Sequence, residues 1–325
     1  MPVNETRTAT RLLKADAKSI AEGGRLLRDG KLVVFPTETV YGLGANALDD
    51  FAVSAIFAAK DRPRFNPLIV HVHDRDEAED IVKFNPVASK LADAFWPGGL
   101  TLVLPRREPT PLSLLVSAGL DTAAVRAPDH PVARALIEAA GVPIAAPSAN
   151  RSGRLSPTTA DAAGEELDGR VELILDGGRC PLGIESTVIG FDKERPVLLR
   201  RGAIAREAIE TVCGRLQMPK GSAIEAPGMM ASHYAPNARL RLNAQDIRPG
   251  EALLAFGAAM PEGAKTVCNL SQGGDLREAA ANLFAMLRRL DKAGAETIAV
   301  MPVPDTGLGE AINDRLAREI GRAHV

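Results

Sequence analysis

Residues 214–242 read GRLQMPKGSAIEAPGMMASHYAPNARLRL, with three Pro, three Gly and neither a helical nor a strand period. A stretch this long without a hydrophobic repeat builds no packed layer of its own, so it separates what lies on either side. Order resumes on both sides. The chain is therefore expected to fold as two α/β bodies, residues 1–206 and 239–325, joined by a linker over 207–238. Both bodies have ordinary domain lengths.

Before the break, helical and strand-sized patterns alternate at irregular intervals. Asp16 to Arg28 predicts a helix, and Lys31–Phe35 a short buried strand. Asp50 opens the helix FAVSAIFAAK, with Phe51, Ala55, Ile56 and Ala59 expected on one buried face. LIVHV (Leu68–Val72) is strand-like, Asn85-Pro86 caps a helix that ends at Pro97-Gly98-Gly99, and TLVLP is a strand. Asp129 with Pro131 opens a further helix and Ser156-Pro157 another, before the strands VELIL, STVIGF and PVLLR and the helix AREAIETVCG. The irregular order favours a sheet of mixed strand directions over a regular doubly wound one. Past the break, EALLAFG and TIAVMPVP read as strands, and DLREAAANLFAMLRRLDKAG and GLGEAINDRLAREIG as amphipathic helices.

Composition removes several functional classes. Lys and Arg total 39 against 41 Asp and Glu, a net charge of −2 that argues against coating nucleic acid by bulk electrostatics. Aromatics at 4% leave little for stacking successive bases. No apolar run approaches the ~18 residues of a membrane span, and the start, MPVNETRTATRLLK, lacks the apolar core of a signal peptide. Cys180, Cys213 and Cys268 are far apart and odd in number, as in a reduced, cytoplasmic protein without a disulfide framework or zinc site. The expectation is a cytoplasmic protein without a membrane partner.

Four segments carry candidate chemistry. In Phe35-Pro-Thr-Glu-Thr-Val-Tyr-Gly-Leu-Gly-Ala-Asn-Ala47, the glycines match a relaxed dinucleotide fingerprint, set too far from the preceding strand. The same glycines fit a turn that needs positive φ, or a strand end that presents Thr37 and Thr39 to a pocket. Lys60-Asp-Arg-Pro-Arg-Phe-Asn-Pro67 holds three cations stiffened by two prolines, which suits an anion and equally a solvated basic loop. His71 and His73 lie two apart on the next strand and share a face, which permits a metal pair or a hydrogen-bonding His71. In Ala146-Pro-Ser-Ala-Asn-Arg-Ser-Gly153, Ser148 and Asn150 alternate after an apolar strand, as a ligand loop or a polar turn. Ser148 lacks the Gly-x-Ser-x-Gly elbow of a hydrolase nucleophile. Arg200 ends a strand, where its fork can take a carboxylate or phosphate.

Residues 60–202 hold 18 Lys and Arg against 20 Asp and Glu, yet the arginines gather in these loops. Local cations on a neutral body suit a small polyanion such as a nucleoside triphosphate, held without a P-loop.

Taken in order, FPTETVYGLGANA, KDRPRFNPLIVHV, WPGGLTLVLP, AVRAPDHP, APSANRSGRLSPTT, ILDGG, GIESTVIGF and LLRRGAI resemble the threonylcarbamoyl-AMP synthase family, with its YrdC-like catalytic domain. They span about residues 17–206, and the tail with its SHYAP linker resembles the two-domain form. The resemblance implies an α/β fold: a twisted mixed sheet with flanking helices around a concave site, plus a small Rossmann-like C-terminal α/β domain. It implies a nucleotidyltransferase that joins L-threonine, bicarbonate or CO2, and ATP into L-threonylcarbamoyladenylate and pyrophosphate. The product serves threonylcarbamoyl modification of the adenosine beside the anticodon in tRNAs reading codons that begin with A.

The same resemblance puts threonine near Thr39, His71, Arg126, Ala146 and Ser186. It puts ATP near Lys60, Arg62, Asn66, Thr122, Ser148, Asn150, Ser156 and Arg200, with Tyr234 of the His233–Pro236 segment closing over it as a lid. Lys60, Arg62 and Arg200 then act by neutralising charge, with Mg2+ on the ATP phosphates and no metal ligand from the protein. Arg126 is expected to fork the threonine carboxylate. Implied partners are a downstream threonylcarbamoyl transferase machinery and a weak RNA contact. Rival readings are carbamoyl-adenylate chemistry on another acceptor, a module that binds double-stranded RNA or tRNA, and a Rossmann NAD enzyme built on Gly42–Ala47.

Overall fold

In the computed structural model, which describes residues 9–63, 66–219 and 238–319, the strands form one large mixed sheet and one small parallel sheet. The large sheet contains β1 (Arg11–Lys14), β2 (Val33–Phe35), β3 (Gly42–Asn46), β4 (Ile69–His71), β5 (Leu100–Pro105), β6 (Thr122–Arg126), β7 (Ile144–Ala145), β8 (Leu173–Asp176), β9 (Thr187–Asp192) and β10 (Arg195–Arg200). Their order is β1-β8-β2-β3-β7-β4-β6-β5-β9-β10. β4 runs parallel to β6 and antiparallel to β7, which is the mixed arrangement the irregular spacing predicts.

Among the described residues, seven helices accompany this sheet: α1 (Ala17–Arg28), α2 (Asp50–Lys60), α3 (Arg75–Ile81), α4 (Pro86–Phe95), α5 (Pro131–Ala140), α6 (Ala160–Leu167) and α7 (Arg206–Cys213). α1 and α5 share a core with Phe35, Ile144 and Leu175, while α2, α3, α4, α6 and α7 contribute to a second core with Val34, Leu43 and Val70. Burial on both faces matches the unbroken apolar run of β2, every residue of which is buried.

The structure corrects four local expectations. The buried residues of α2 are Ala52, Val53, Ile56, Phe57, Ala59 and Lys60, so Ile56 and Ala59 face inward as expected, whereas Phe51 is 89% exposed. Two helical phases fit this apolar sequence, and packing on β3 selects the one that also buries Lys60. Gly42 and Gly44 lie inside β3, with no helix following directly, so neither a positive-φ turn nor a dinucleotide loop forms there. A Cβ on Gly44 would stand 2.8 Å from the Phe35 ring, so glycine serves close packing. Ser156-Pro157 opens no helix, because the Ser156 hydroxyl is drawn to Glu185 and Thr159 caps α6 instead. His130, not Asp129, caps α5, accepting from the Val132 amide at 3.2 Å.

The small sheet orders β11 (Arg239–Arg241), β12 (Ala252–Ala255), β13 (Val267–Asn269) and β14 (Thr297–Val300) as β11-β14-β12-β13, with α8 (Leu276–Lys292) and α9 (Gly309–Glu319). Asp275 caps α8, whose Ala279, Ala280, Leu283, Phe284, Leu287 and Leu290 form the buried stripe. Its core continues into the larger body, taking in Val40, Leu155 and Ile184. Gly183, at φ +70, lets the chain pass α8 so closely that a Cβ there would stand 2.5 Å from the Cα of Ala281. Among the described residues, no helix is long and apolar enough to cross a membrane.

Candidate active site

β4 and β6 run side by side and end together, so His71 and Arg126 are register partners at one edge of a cleft. Above them, the Thr37–Val40 turn closes on itself. Thr37 Oγ1 donates to the Val40 carbonyl at 2.7 Å and lies 2.8 Å from Thr39 Oγ1. With its proton so engaged, Thr37 accepts from Thr39, and Thr39 in turn accepts from Arg126 Nη1 at 3.0 Å. Thr39 therefore meets a ligand as an acceptor only. Arg126 also donates to Gly98 O at 3.1 Å and to Glu38 Oε1 at 2.5 Å. These contacts use three of the five guanidinium N–H groups, leaving the others for a ligand carboxylate. Burial, and then the Arg126 charge, push the His71 imidazole down to about 3, so it is neutral at physiological pH. Its Nδ1 has no hydrogen-bond partner among the described residues.

The opposing loop follows β7 and is tied to the end of α2. Lys60 Nζ donates to the Ser148 carbonyl at 2.5 Å and to the Asn150 carbonyl. Burial, and then Arg62, push the Lys60 ammonium well below its ordinary value, while the two carbonyls favour its charged form. Asn150 Nδ2 donates to the carbonyls of Arg151 and Arg154 at 2.8 Å each, which fixes the loop. Its Oδ1 is buried and has no hydrogen-bond partner among the described residues. Arg62 donates to the carbonyls of Asn66 and Pro67.

The third wall lies where β9 begins and β10 ends. A register shift between Leu198 and Arg200 re-aims Arg200 toward Ser186, whose carbonyl accepts from Nε at 3.1 Å and from Nη2 at 2.9 Å. Ser186 Oγ accepts from Arg200 Nη2 at 3.1 Å and lies 2.7 Å from Thr101 Oγ1. Beside it, Glu185 Oε1 accepts from Ser156 at 2.5 Å. Burial alone pushes the Glu185 carboxyl up, but the Arg315 and Arg200 guanidiniums outweigh it and hold the group below the usual carboxylate range. Together the walls frame about 670 Å³ of space, open solvent at the mouth included.

Thr39, His71, Arg126, Ala146 and Ser186 line this one cleft together with Lys60, Arg62, Ser148, Asn150 and Arg200. Asn66 and Ser156 are fully buried and do not line it: Asn66 holds Arg62, and Ser156 holds Glu185. Thr122 begins β6 opposite Pro105, four residues from Arg126 or ~13 Å along the strand, and is not on the lining. Tyr234 and the rest of the His233–Pro236 segment lie outside the described residues. β4 stops at His71, so the shared face expected for His71 and His73 does not form, and His73 Nδ1 lies 3.1 Å from Asp74 instead. No group of three or more His, Cys, Asp or Glu among the described residues could hold a metal ion. Sequence reading missed Glu38 and Glu185, although each is the acidic residue inside a hydroxyl motif, Thr-Glu-Thr and Ile-Glu-Ser-Thr.

Residues 25–202 match the Sua5/YciO/YrdC family, described as telomere recombination, and residues 204–319 match the threonylcarbamoyl-AMP synthase C-terminal domain. A Bacillus subtilis threonylcarbamoyl-AMP synthase is 43% identical over 329 residues, covering 95% of each chain. One from Pyrococcus abyssi is 44% identical over 317 residues, covering 91% of this chain and 92% of its own. Among solved structures, P. abyssi Sua5 complexed with L-threonine superposes with a TM-score of 0.87 at 40% identity, over 97% of this chain and 98% of that one. With both matches in sequence order and the fold shared along nearly the whole length, this chain belongs to the threonylcarbamoyl-AMP synthase family, in its two-domain form.

Proposed function

We propose that this chain condenses L-threonine, bicarbonate or CO2, and ATP into L-threonylcarbamoyladenylate and pyrophosphate, for threonylcarbamoyl modification of tRNA. The observation that carries the reading is the convergence, in one cleft, of Thr39, His71 and Arg126 with Lys60, Arg62 and Arg200. The relative crystallised with L-threonine supports threonine as the amine.

Arg126 takes the threonine carboxylate on its remaining N–H groups, while Thr39 and His71 accept from the amine or hydroxyl. The amine attacks CO2, or bicarbonate with loss of water, to give a carbamate. One carbamate oxygen then attacks the α-phosphorus of ATP, the P–O bond to the β-phosphate breaks, and pyrophosphate leaves with its electron pair. No side chain need bond covalently to substrate. Placement of the two reactants and charge neutralisation by Lys60, Arg62 and Arg200 carry the rate. Asn150 Oδ1, buried and without a partner among the described residues, accepts from the nucleotide. Ser148 and Ser186 lie on the same lining.

Mg2+ belongs in this reading with the ATP phosphates. Glu185 is the carboxylate on the described lining and is engaged by Ser156 and Arg315, so in this reading the ion is carried by the phosphates. In the same reading the chain divides within residues 207–238, beyond α7, which packs on α4 of the larger body. The adenylate is an activated acyl donor, so a transferase must consume it.

Pyrophosphate release, measured while L-threonine, bicarbonate and Mg-ATP are omitted in turn, is the test. Release that depends on all three is expected. Release without threonine would transfer the chemistry to another acceptor, and salt-sensitive RNA binding with no release at all would point to a binding module.

A further inference from the structure

A side chain of α9 links the C-terminal body to the cleft wall. Arg315, on α9, is fully buried, and its Nε donates to Glu185 Oε2 at 2.8 Å. Its Nη2 donates to the Arg201 carbonyl at 2.9 Å and its Nη1 to Asp314 at 2.5 Å. The other oxygen of Glu185 receives the Ser156 hydroxyl, so Arg315, Glu185 and Ser156 form one buried chain whose middle member, Glu185, lies on the cleft wall.

The pair is not the two bodies' sole contact, since they share an apolar core through Val40, Leu155 and Ile184. Half-exposed contacts such as Arg206–Glu310, Lys292–Glu165 and Arg179–Asn282 already join them. A buried ion pair is, moreover, a poor stabiliser compared with apolar packing of the same volume, because both ions lose their water. The pair does have an electrostatic consequence at the site. Glu185 places a carboxylate on the wall of a cleft read as a triphosphate site, where a bare negative charge opposes the substrate. Arg315 cancels that charge from behind, and Arg200 does so from the side.

We propose that Arg315 is a positioning residue of the active site: through Glu185 it compensates the wall charge and holds Ser156, so the C-terminal body completes the ATP site. The proposal rests on the cleft being the ATP site.

The test measures the Kd for Mg-ATP by calorimetry, and KM and kcat by pyrophosphate release, on the full chain. In Arg315→Met, the Kd and KM for ATP are expected to rise about tenfold or more, since an uncompensated buried charge is costly, while kcat and the KM for threonine change less than about threefold. Adding Glu185→Gln to Arg315→Met removes the stranded charge and is expected to recover most of that loss. Unchanged ATP affinity in Arg315→Met, or a loss that Glu185→Gln does not rescue, overturns the proposal. If Arg315→Met fails to fold, Glu185→Gln alone decides: with Arg315 left uncompensated behind the wall, ATP binding is expected to tighten about threefold or more, and unchanged or weaker binding, or failure to fold, overturns the proposal. Should the parent chain bind ATP yet release no pyrophosphate with threonine, the reaction assignment fails while the affinity arms still decide on Arg315.

Discussion

Arg126 and Glu185 both face the cleft, and each is buried against an ion of opposite sign, Glu38 at 2.5 Å and Arg315 at 2.8 Å. On the first wall the cation looks into the cleft and the carboxylate stands behind it. On the second the order is reversed. The first pair is made within the large sheet, between the Thr37–Val40 turn and the end of β6. The second crosses from the large body to α9. The difference shows what each wall is suited to. A forward-facing guanidinium with unused donors captures a small carboxylate, whereas a forward-facing carboxylate whose charge is compensated from behind limits repulsion of a polyanion and orients a hydroxyl. The neutral His71 belongs with the first wall, and Arg200, bound to Ser186, with the second.

This contrast is exposed to experiment. The largest effect is expected from Arg126→Ala, which leaves Glu38 buried without its partner and lowers stability by about 3–5 kcal/mol, measured by denaturant unfolding. Adding Glu38→Gln should recover most of the stability but not threonine binding. Recovery of both would erase the distinction between the walls.

A smaller effect concerns pH. His71 in the folded chain titrates at about 3 against 6.5 when exposed, so below pH 6.5 the unfolded chain takes up a proton that the folded chain refuses. Stability contributed by the neutral ring is complete above 6.5 and is lost as pH falls, about 3 kcal/mol by pH 4. Unfolding at stepped pH should show that slope, and His71→Asn should flatten it. An unaltered slope would remove the neutral ring from the first wall.

Lys60→Met is expected to lower kcat/KM for ATP about 100-fold, with little change in threonine binding. A larger effect on threonine would place Lys60 on the wrong wall. The finest contrast is between two hydroxyls. Thr37→Val should weaken threonine binding, and Ser156→Ala ATP binding, each about threefold and each leaving the other substrate unaffected. Steady-state kinetics with one substrate saturating would show a crossed result at once.

Much of this site was readable as local chemistry. The hydroxyl turn, the cationic loop, the Ser148–Asn150 alternation and Arg200 at a strand end all come together, because each motif follows or precedes a strand of one sheet. Mixed strand order was legible from spacing alone. β3 was not, since two glycines in five residues carry no strand propensity, and its place is decided by the Phe35 ring lying over it. The buried face of α2 was misread at Phe51 for a related reason: several phases fit its apolar residues, and only the neighbouring strand chooses. Ser156 looked like a helix start because Ser-Pro is a local signal, and a carboxylate 29 residues away outcompeted it.

The sequence by itself determined the class and the kinds of groups at the candidate site, since these depend on hydrophobic period, turn chemistry and side-chain type over short distances. Tertiary structure alone decided which charges meet. Glu38 and Arg126 stand 88 residues apart, and Glu185 and Arg315 stand 130 apart. The energy of a charge depends on its desolvation and on the sign of its neighbour within a few ångströms. Neither quantity is written in a residue's own segment. That is why Glu185 reads as an unremarked acid in the sequence and, once Arg315 is packed against it, becomes part of the wall.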